Sequence, residues 1–135
     1  MIQIEGKNLI KVFFEWKEED GTFRSESMWA EGISLDTFRL DNIPLFVYGI
    51  SSNDIFTAEI KNNNFFFKNV SKRGGHSTIR IHFKMQPTDL NVVEKYLLNF
   101  TNLGCSYEGN GKSLYAIDIP MEVNLQNVYE ILDKF

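Results

Sequence analysis

The sequence is poor in cysteine and carries no excess of positive charge. Cys105 is the single cysteine, which excludes a framework of internal disulfide bonds. The 14 basic residues are outnumbered by 18 acidic ones, and the net charge of −4 argues against a broad binding surface for duplex nucleic acid. No apolar run approaches the length of a membrane span, and the first residues lack the hydrophobic region of a signal peptide. We therefore expect a cytoplasmic protein.

The motifs of common catalytic and cofactor sites are also missing. The sequence contains no phosphate-binding loop, no serine nucleophile elbow and no HExxH motif. His76, His82 and Cys105 are the candidates for soft metal ligands, but their spacing matches no zinc pattern. We expect no metal site, no cofactor and no catalytic residue, and hence a protein that is not an enzyme.

Aromatic residues, by contrast, are plentiful. They make up 14% of the 135 residues, and twelve of them are phenylalanine, which indicates a well-filled interior. A chain of this length suits one compact domain, or two small parts that share a core. Gly74 and Gly75 divide it, because two residues without a Cβ let the backbone turn between two strand-like stretches. We expect an antiparallel β subdomain over residues 1–73 and an α/β subdomain over residues 74–135, sharing one core.

The first part reads as short strands separated by turns. Strand signals fall at residues 9–16, 25–31, 37–40 and 55–60, and a further apolar alternation begins at Phe65. Residues 61–64, KNNN, predict a hairpin loop, because asparagine tolerates left-handed backbone conformations. The apolar segment 45–50 is interpreted as a buried loop or short helical turn that plugs one end of the sheet. This pattern predicts a small antiparallel β-barrel or curled sheet.

The second part has the order β-α-β-β-α. Residues 78–83 alternate as a strand, and a helix with Thr88 as N-cap follows, with an apolar stripe that includes Val93 and Leu97. Residues 105–108 and 113–119 form a hairpin, and Asn124 caps a final helix. This is a ferredoxin-like unit without its last strand. In such a sheet, strand 78–83 lies beside 113–119 and its other edge is open, so that a partner or a second copy could pair there.

Two charged clusters are candidates for binding. Acidic residues gather near the first hairpin and could attract a basic partner, although a charge run is usually a solvated face. They are Glu15, Glu18, Glu19, Asp20, Glu26 and Glu31. Lys68, Lys72, Arg73 and Arg80 form the cationic concentration, close in sequence to residues 65–67. Basic and aromatic residues together can hold single-stranded nucleic acid, but the acidic total favours phenylalanines in the core and cations on the surface.

Several short runs resemble a bacterial family known only as a domain of unknown function (number forty-two sixty-five). The runs are SMWAE at 27–31, FRLDNIP at 38–44, YGI at 48–50, NDI at 53–55, RGGHSTIR at 73–80, LGC at 103–105 and AIDIP at 116–120. Together they are spread over most of the chain, from residue 27 to residue 120. The resemblance implies a bacterial origin and supports the order of elements, and it implies no catalytic residue.

Two function hypotheses remain open. The first is a non-enzymatic protein-binding module, most concretely an immunity protein that neutralises a basic toxin domain; self-association through the open edge is the related possibility. The second is a small-ligand or nucleic-acid binding domain, with nucleic acid the less favoured ligand. The candidate partner- or ligand-binding residues are Glu15, Glu18, Glu19, Glu31, Asp41, Asn42, Tyr48, Arg73, His76 and Arg80.

Overall fold

The computed structural model describes residues 2–4, 6–84 and 89–134, with the side chains of residues 2–4 left aside. The chain divides into two compact units, Met1–Gly74 and Gly75–Phe135. The division lies one residue after the expected boundary. That the two units share one core stays a prediction.

The described part of the first unit contains six β-strands. They are β1 (Ile2–Ile4), β2 (Lys7–Lys17), β3 (Phe23–Gly32), β4 (Thr37–Leu40), β5 (Ile55–Lys61) and β6 (Asn64–Lys72). The turn between β5 and β6 places Asn62 and Asn63 at φ angles of 52° and 66°, which confirms the role predicted for the asparagines. Strand β1 was not anticipated.

Strands β2 to β6 close into a ring. Each strand pairs with the next in antiparallel fashion, and β6 returns to β2 as a parallel neighbour through Val12 opposite Phe65 and Phe13 opposite Phe66. Five strands that reverse direction at every turn must bring the first and last together in parallel. The predicted small barrel is therefore confirmed, with β1 added beside β2.

The inside of the ring is filled by aromatic rings. Alternate residues of β2 are buried, because successive side chains of a strand point to opposite faces. Phe56 is fully buried, and its ring centroid lies 5.4 Å from that of Phe14, 5.8 Å from Phe38 and 5.7 Å from Phe67. This cluster is the centre of the core of the first unit.

The second unit has the predicted β-α-β-β-α order. Its elements are β7 (Ser77–His82), α1 (Leu90–Thr101), β8 (Ser106–Gly109), β9 (Leu114–Ile119) and α2 (Leu125–Asp133). The strand order is β7-β9-β8, which confirms the truncated ferredoxin-like unit. Val93, Leu97 and Phe100 of α1 pack into a core with β9 and with Val128 of α2.

The sequence predicted the N-cap of one of the two helices correctly. Asn124 caps α2, as predicted, by accepting a hydrogen bond from the backbone N–H of Gln126 at 2.9 Å. The N-cap of α1 is Asp89, whose carboxylate accepts from the N–H of Asn91 at 2.9 Å. The prediction placed Thr88 there, and Thr88 lies outside the described residues. An Asp at this position also suits the positive end of the helix dipole.

Two further expectations are refined by the structure. The segment 41–54 is irregular and contains no helical turn. Of the segment 45–50, which was predicted to be buried, Ile50 is buried, but Phe46 and Tyr48 are exposed, so most of it does not act as a plug. Strand β7 is an edge strand of its sheet, as expected, but Thr78 and Arg80 on it already have interaction partners. Self-association at this edge stays a prediction. No helix in the described parts of the chain is long and apolar enough to cross a membrane.

Replacing Phe56 with alanine tests the aromatic core. Phe56→Ala removes a fully buried ring, and we expect a loss of about 3–5 kcal/mol in the free energy of unfolding, as is typical of such truncations. Phe23→Ala is the control, because Phe23 is 76% exposed, and its loss should stay within about 0.5 kcal/mol. Urea unfolding followed by circular dichroism measures both. Equal losses would show that the ring cluster is not the core.

Candidate functional site

A groove at the mouth of the barrel carries exposed aromatic and acidic side chains. We define the acidic aromatic groove by Glu15, Trp16, Glu18, Phe46 and Tyr48. Two cavities of about 450 Å³ and about 220 Å³ form it, and both are lined by Trp16 and Phe46. The mouth of a β-barrel is a frequent place for ligand sites.

The groove opens directly onto the aromatic core. Trp16 falls on the side of β2 that carries Val12 and Phe14, but it lies at the end of the strand and is only half-buried. Phe14 and Phe67 line the smaller cavity, and their rings stack with centroids 5.0 Å apart. The floor of the groove is therefore made of packed rings that do not need to move when the groove is filled.

The loop that supplies the other wall is held by a carboxylate. Glu26 of β3 accepts hydrogen bonds from three successive backbone N–H groups, those of Leu45 at 2.9 Å, Phe46 at 3.1 Å and Val47 at 3.0 Å. Hydrogen bonds to a charged acceptor are worth more than neutral ones. Glu26 thus fixes the backbone from which Phe46 and Tyr48 project, with 52% and 80% of their surfaces exposed.

A second carboxylate fixes the far end of the same loop. Asp54 is 1% exposed and accepts from the N–H of Ser51 at 2.9 Å and of Gly74 at 2.7 Å. Arg73 donates to Asp54 at 3.2 Å and to the carbonyl oxygen of Gly49 at 2.6 Å. A buried charge needs such partners, since desolvation is costly. Arg73, a predicted binding residue, therefore has a role in holding the loop.

Asn42 and Asp41 also connect this loop to the barrel. The side-chain oxygen of Asn42 accepts from the N–H of Trp29 at 3.2 Å. Asp41 forms an ion pair with Lys7 at 3.6 Å, and both side chains are more than one-third exposed. The structure thus gives Asn42 a structural hydrogen bond and places Asp41 on the surface beside β2.

The charge around the groove is negative. Residues 15–26 contain five acidic residues against two basic ones, Lys17 and Arg24, a net charge of −3. The indole Nε1–H of Trp16 donates to Glu18 Oε1 at 3.0 Å, which brings a carboxylate to the edge of the ring. Hydrogen bonds from the side chain and backbone N–H of Thr22 lower the pKa of Asp20, so this carboxyl stays charged. Arg24 is a cation that lines the larger cavity.

The remaining acidic candidates lie apart from the groove lining. Glu19 is exposed in the turn after β2. Glu31 of β3 pairs with Arg39 of β4 at 3.2 Å, so its charge is balanced on the barrel wall. Of the predicted binding residues, the structure brings Glu15, Glu18 and Tyr48 together.

His76 forms a pair with a buried carboxylate in the second unit. Its Nδ1 lies 3.0 Å and 2.9 Å from the two oxygens of Asp118, which is 6% exposed and sits on the central strand β9. Arg80 is half-buried on β7, opposite Ala116. A His–Asp pair orients an imidazole and occurs in general bases. A general base of this kind can activate a protein nucleophile, a bound water molecule or a group of the substrate.

Cys105 is a poor nucleophile for that purpose. Burial, and secondarily the negative charge of Asp118, raise the pKa of the Cys105 thiol. The thiol is 5% exposed and belongs to the core of the second unit. Within the described residues, no three His, Cys, Asp or Glu side chains lie close enough to hold a metal ion.

The basic cluster and the phenylalanines of β6 do not form one stacking surface. Phe65 and Phe67 pack against the barrel core. Phe66 points the other way, where its ring lies 5.6 Å from that of Phe13 and under Lys61. Lys68 and Lys72 are exposed. The interpretation of these rings as core is thus confirmed for two of the three.

The comparisons with known proteins show a family and a fold. Residues 26–135 match the family described as Domain of unknown function (DUF4265). The chain is also similar to the crystal structure of a hypothetical protein from Neisseria gonorrhoeae, with a TM-score of 0.77 and 19% sequence identity over 92% of this chain and 84% of that one. Among curated proteins, none matches the chain.

Glu26→Gln tests the anchor of the loop. An amide presents one oxygen and one NH₂ group to three N–H donors, so at least one hydrogen bond is lost. We expect the free energy of unfolding to fall by about 1–3 kcal/mol, with faster hydrogen exchange at the amides of residues 45–47. Glu59→Gln is the control, because Glu59 forms an exposed pair with Lys61, and it should leave both observables unchanged. Unchanged exchange in Glu26→Gln would contradict the anchoring role.

The state of Cys105 is testable by thiol labelling. Because burial raises its pKa, the thiol is protonated at neutral pH, and the same burial keeps a reagent away from it. The native protein should react with a disulfide reagent at least tenfold more slowly than the urea-unfolded protein, and more readily as the pH rises into the alkaline range. Rapid labelling of the native protein at pH 7 would reopen the possibility of a Cys105 nucleophile.

Proposed function

We propose that this chain, which belongs to the DUF4265 family, is a non-enzymatic module that binds a protein partner with a basic surface. The single observation that carries this proposal is the acidic aromatic groove. Phe46 and Tyr48 are exposed although they are large and apolar, and the backbone beneath them is fixed by Glu26. Aromatic residues that a rigid backbone presents to solvent are typical of interface anchors.

The negative charge beside the groove favours one class of partner. The net charge of −3 over residues 15–26 attracts a basic surface and repels an acidic one, such as a nucleic acid backbone. The charges lie on and around the first hairpin, next to the groove, so that steering and docking would act at the same place. A partner with a basic patch and an apolar group near it meets both requirements.

The most concrete form of this proposal is an immunity protein that neutralises a basic toxin domain. The acidic charge and the absence of recognised catalytic motifs support it. Such a protein binds its toxin tightly and has no turnover of its own. Identification of the partner starts from affinity capture in the source bacterium, followed by co-expression with the product of the neighbouring gene.

Charge reversal on the hairpin tests the steering role. With the captured partner, Glu18→Lys combined with Glu19→Lys should lower the association rate by about tenfold at low salt, with a smaller effect at high salt, because screening weakens steering. Lys68→Glu combined with Lys72→Glu is the control, since both lysines are exposed on β6, away from the groove lining. Surface plasmon resonance at several salt concentrations measures the rates.

Two results would contradict the proposal. One is an association rate that responds to neither salt nor the reversal at positions 18 and 19. The other is the recovery of a metabolite or an oligonucleotide in stoichiometric amount with no protein partner, which would favour the small-ligand or nucleic-acid hypothesis.

A further inference from the structure

We infer that the acidic aromatic groove receives an arginine side chain of the partner, with the guanidinium stacked on Trp16 and paired with Glu18. This inference rests on the proposed function and names the chemistry by which the groove would recognise its partner. It follows from the size and lining of the two cavities, from the position of one carboxylate and from the balance of charge.

The carboxylate of Glu18 lies where it can pair with a cation bound over Trp16. Its Oε1 accepts the indole proton of Trp16 at 3.0 Å, so the carboxylate is held at the edge of the ring. A carboxylate has about four lone-pair sites, and one hydrogen bond leaves acceptor capacity for a ligand. A cation over the face of Trp16 therefore meets the ring quadrupole and a negative charge together.

Arginine suits this arrangement better than lysine. The guanidinium is planar, stacks on an aromatic face and donates in a fork that matches a carboxylate. Lysine presents a compact and strongly hydrated point charge, which gains less from stacking. The larger cavity, of about 450 Å³, lies within the range of roughly 300–1,000 Å³ found for ligand clefts, so an arginine head and its stem can enter.

The smaller cavity extends the recognition to a neighbouring residue. It is lined mainly by apolar groups, those of Phe14, Val47 and Phe67 among them, and it shares Trp16 and Phe46 with the larger one. An apolar side chain next to the arginine would fill it. The expected occupant is thus a segment in which arginine adjoins a residue such as leucine.

Arg24 gives the inference a distinctive test. It lines the larger cavity and must repel a cationic ligand, although its contribution to the fold is that of a surface side chain. Removing its charge should strengthen the binding of arginine, whereas removing the charge of Glu18 should weaken it. A purely structural role for either residue would not produce opposite effects on one ligand.

The experiment uses a short peptide and the fluorescence of Trp16. The probe is acetyl-Leu-Arg-Leu-amide, which has leucine on both sides so that its direction along the groove does not matter. The same peptide with citrulline, a neutral analogue of arginine, is the matched ligand control. Trp29→Phe serves as the background, because the chain has two tryptophans and the remaining signal then comes from Trp16.

We expect a saturable change of Trp16 fluorescence with the arginine peptide and at least tenfold weaker binding of the citrulline peptide. Glu18→Gln should weaken the arginine peptide about fivefold and Arg24→Gln should strengthen it. Glu31→Gln is the protein control, because Glu31 is engaged with Arg39. If Trp29→Phe does not fold, shifts of the Trp16 indole and of the amides of residues 15–18 and 46–48 in two-dimensional NMR of the unaltered chain provide the same titration.

The failure of this inference is distinguishable from failure of the proposed function. Equal binding of the arginine and citrulline peptides, or shifts that avoid the groove, would overturn the arginine site. So would a complete lack of peptide binding. If the captured protein partner still depends on Glu18 and Glu19 in that case, the protein-binding proposal stands and the groove acts through another group.

Discussion

Two acidic side chains, the buried Asp54 and the half-buried Glu26, hold the long loop of the first unit in place. Asp54 is almost fully buried, and Glu26 lies under the loop that follows β4. An uncompensated buried charge would cost several kcal/mol, so the chain must supply donors. It supplies them from backbone N–H groups at both ends of one loop, near Leu45 and Ser51, with Gly74 N–H and Arg73 completing the shell of Asp54. Both ends of an irregular segment are thereby held by hydrogen bonds to carboxylates.

The order of the loop in the free protein affects how its exposed side chains can bind. If the loop were mobile, ordering it on binding would weaken the binding. Here the loop is already ordered in the folded protein. The loop buries Ile43 and Ile50 against the barrel and leaves Phe46 and Tyr48 in solvent. Below them, stacked Phe14 and Phe67 form a floor that is part of the core. The groove is therefore preorganised from both sides, by hydrogen bonds above and by packing below.

The sequence predicted features with a local or periodic signal and missed those made by distant contacts. The alternation in β2, the turn asparagines and the cap at Asn124 are all local, and they were predicted correctly. The parallel pairing of β2 with β6 joins residues that are more than fifty positions apart in the sequence, and no local pattern predicts it. The bonds of Glu26 to residues 45–47 are similar, because an isolated Glu in a strand looks like any solvent-facing charge. Trp16 is half-buried because it lies at the end of β2. Phe46 lies in the segment 45–50 that was predicted to be buried, and the irregular course of the loop, which periodicity does not describe, exposes it.

The charged residues of the first unit differ in what they contribute to the fold. Glu26 accepts hydrogen bonds from three backbone N–H groups. Arg73 donates to the backbone carbonyl of Gly49 and to the carboxylate of Asp54, and the loss of either residue would release the loop. Glu31 and Arg39 neutralise each other on the barrel wall. Glu15, Glu18 and Glu19 belong to neither class: they are exposed, and an exposed charge contributes little to stability. Together with the exposed rings of Phe46 and Tyr48, these three carboxylates form the surface to which we assign the proposed binding function.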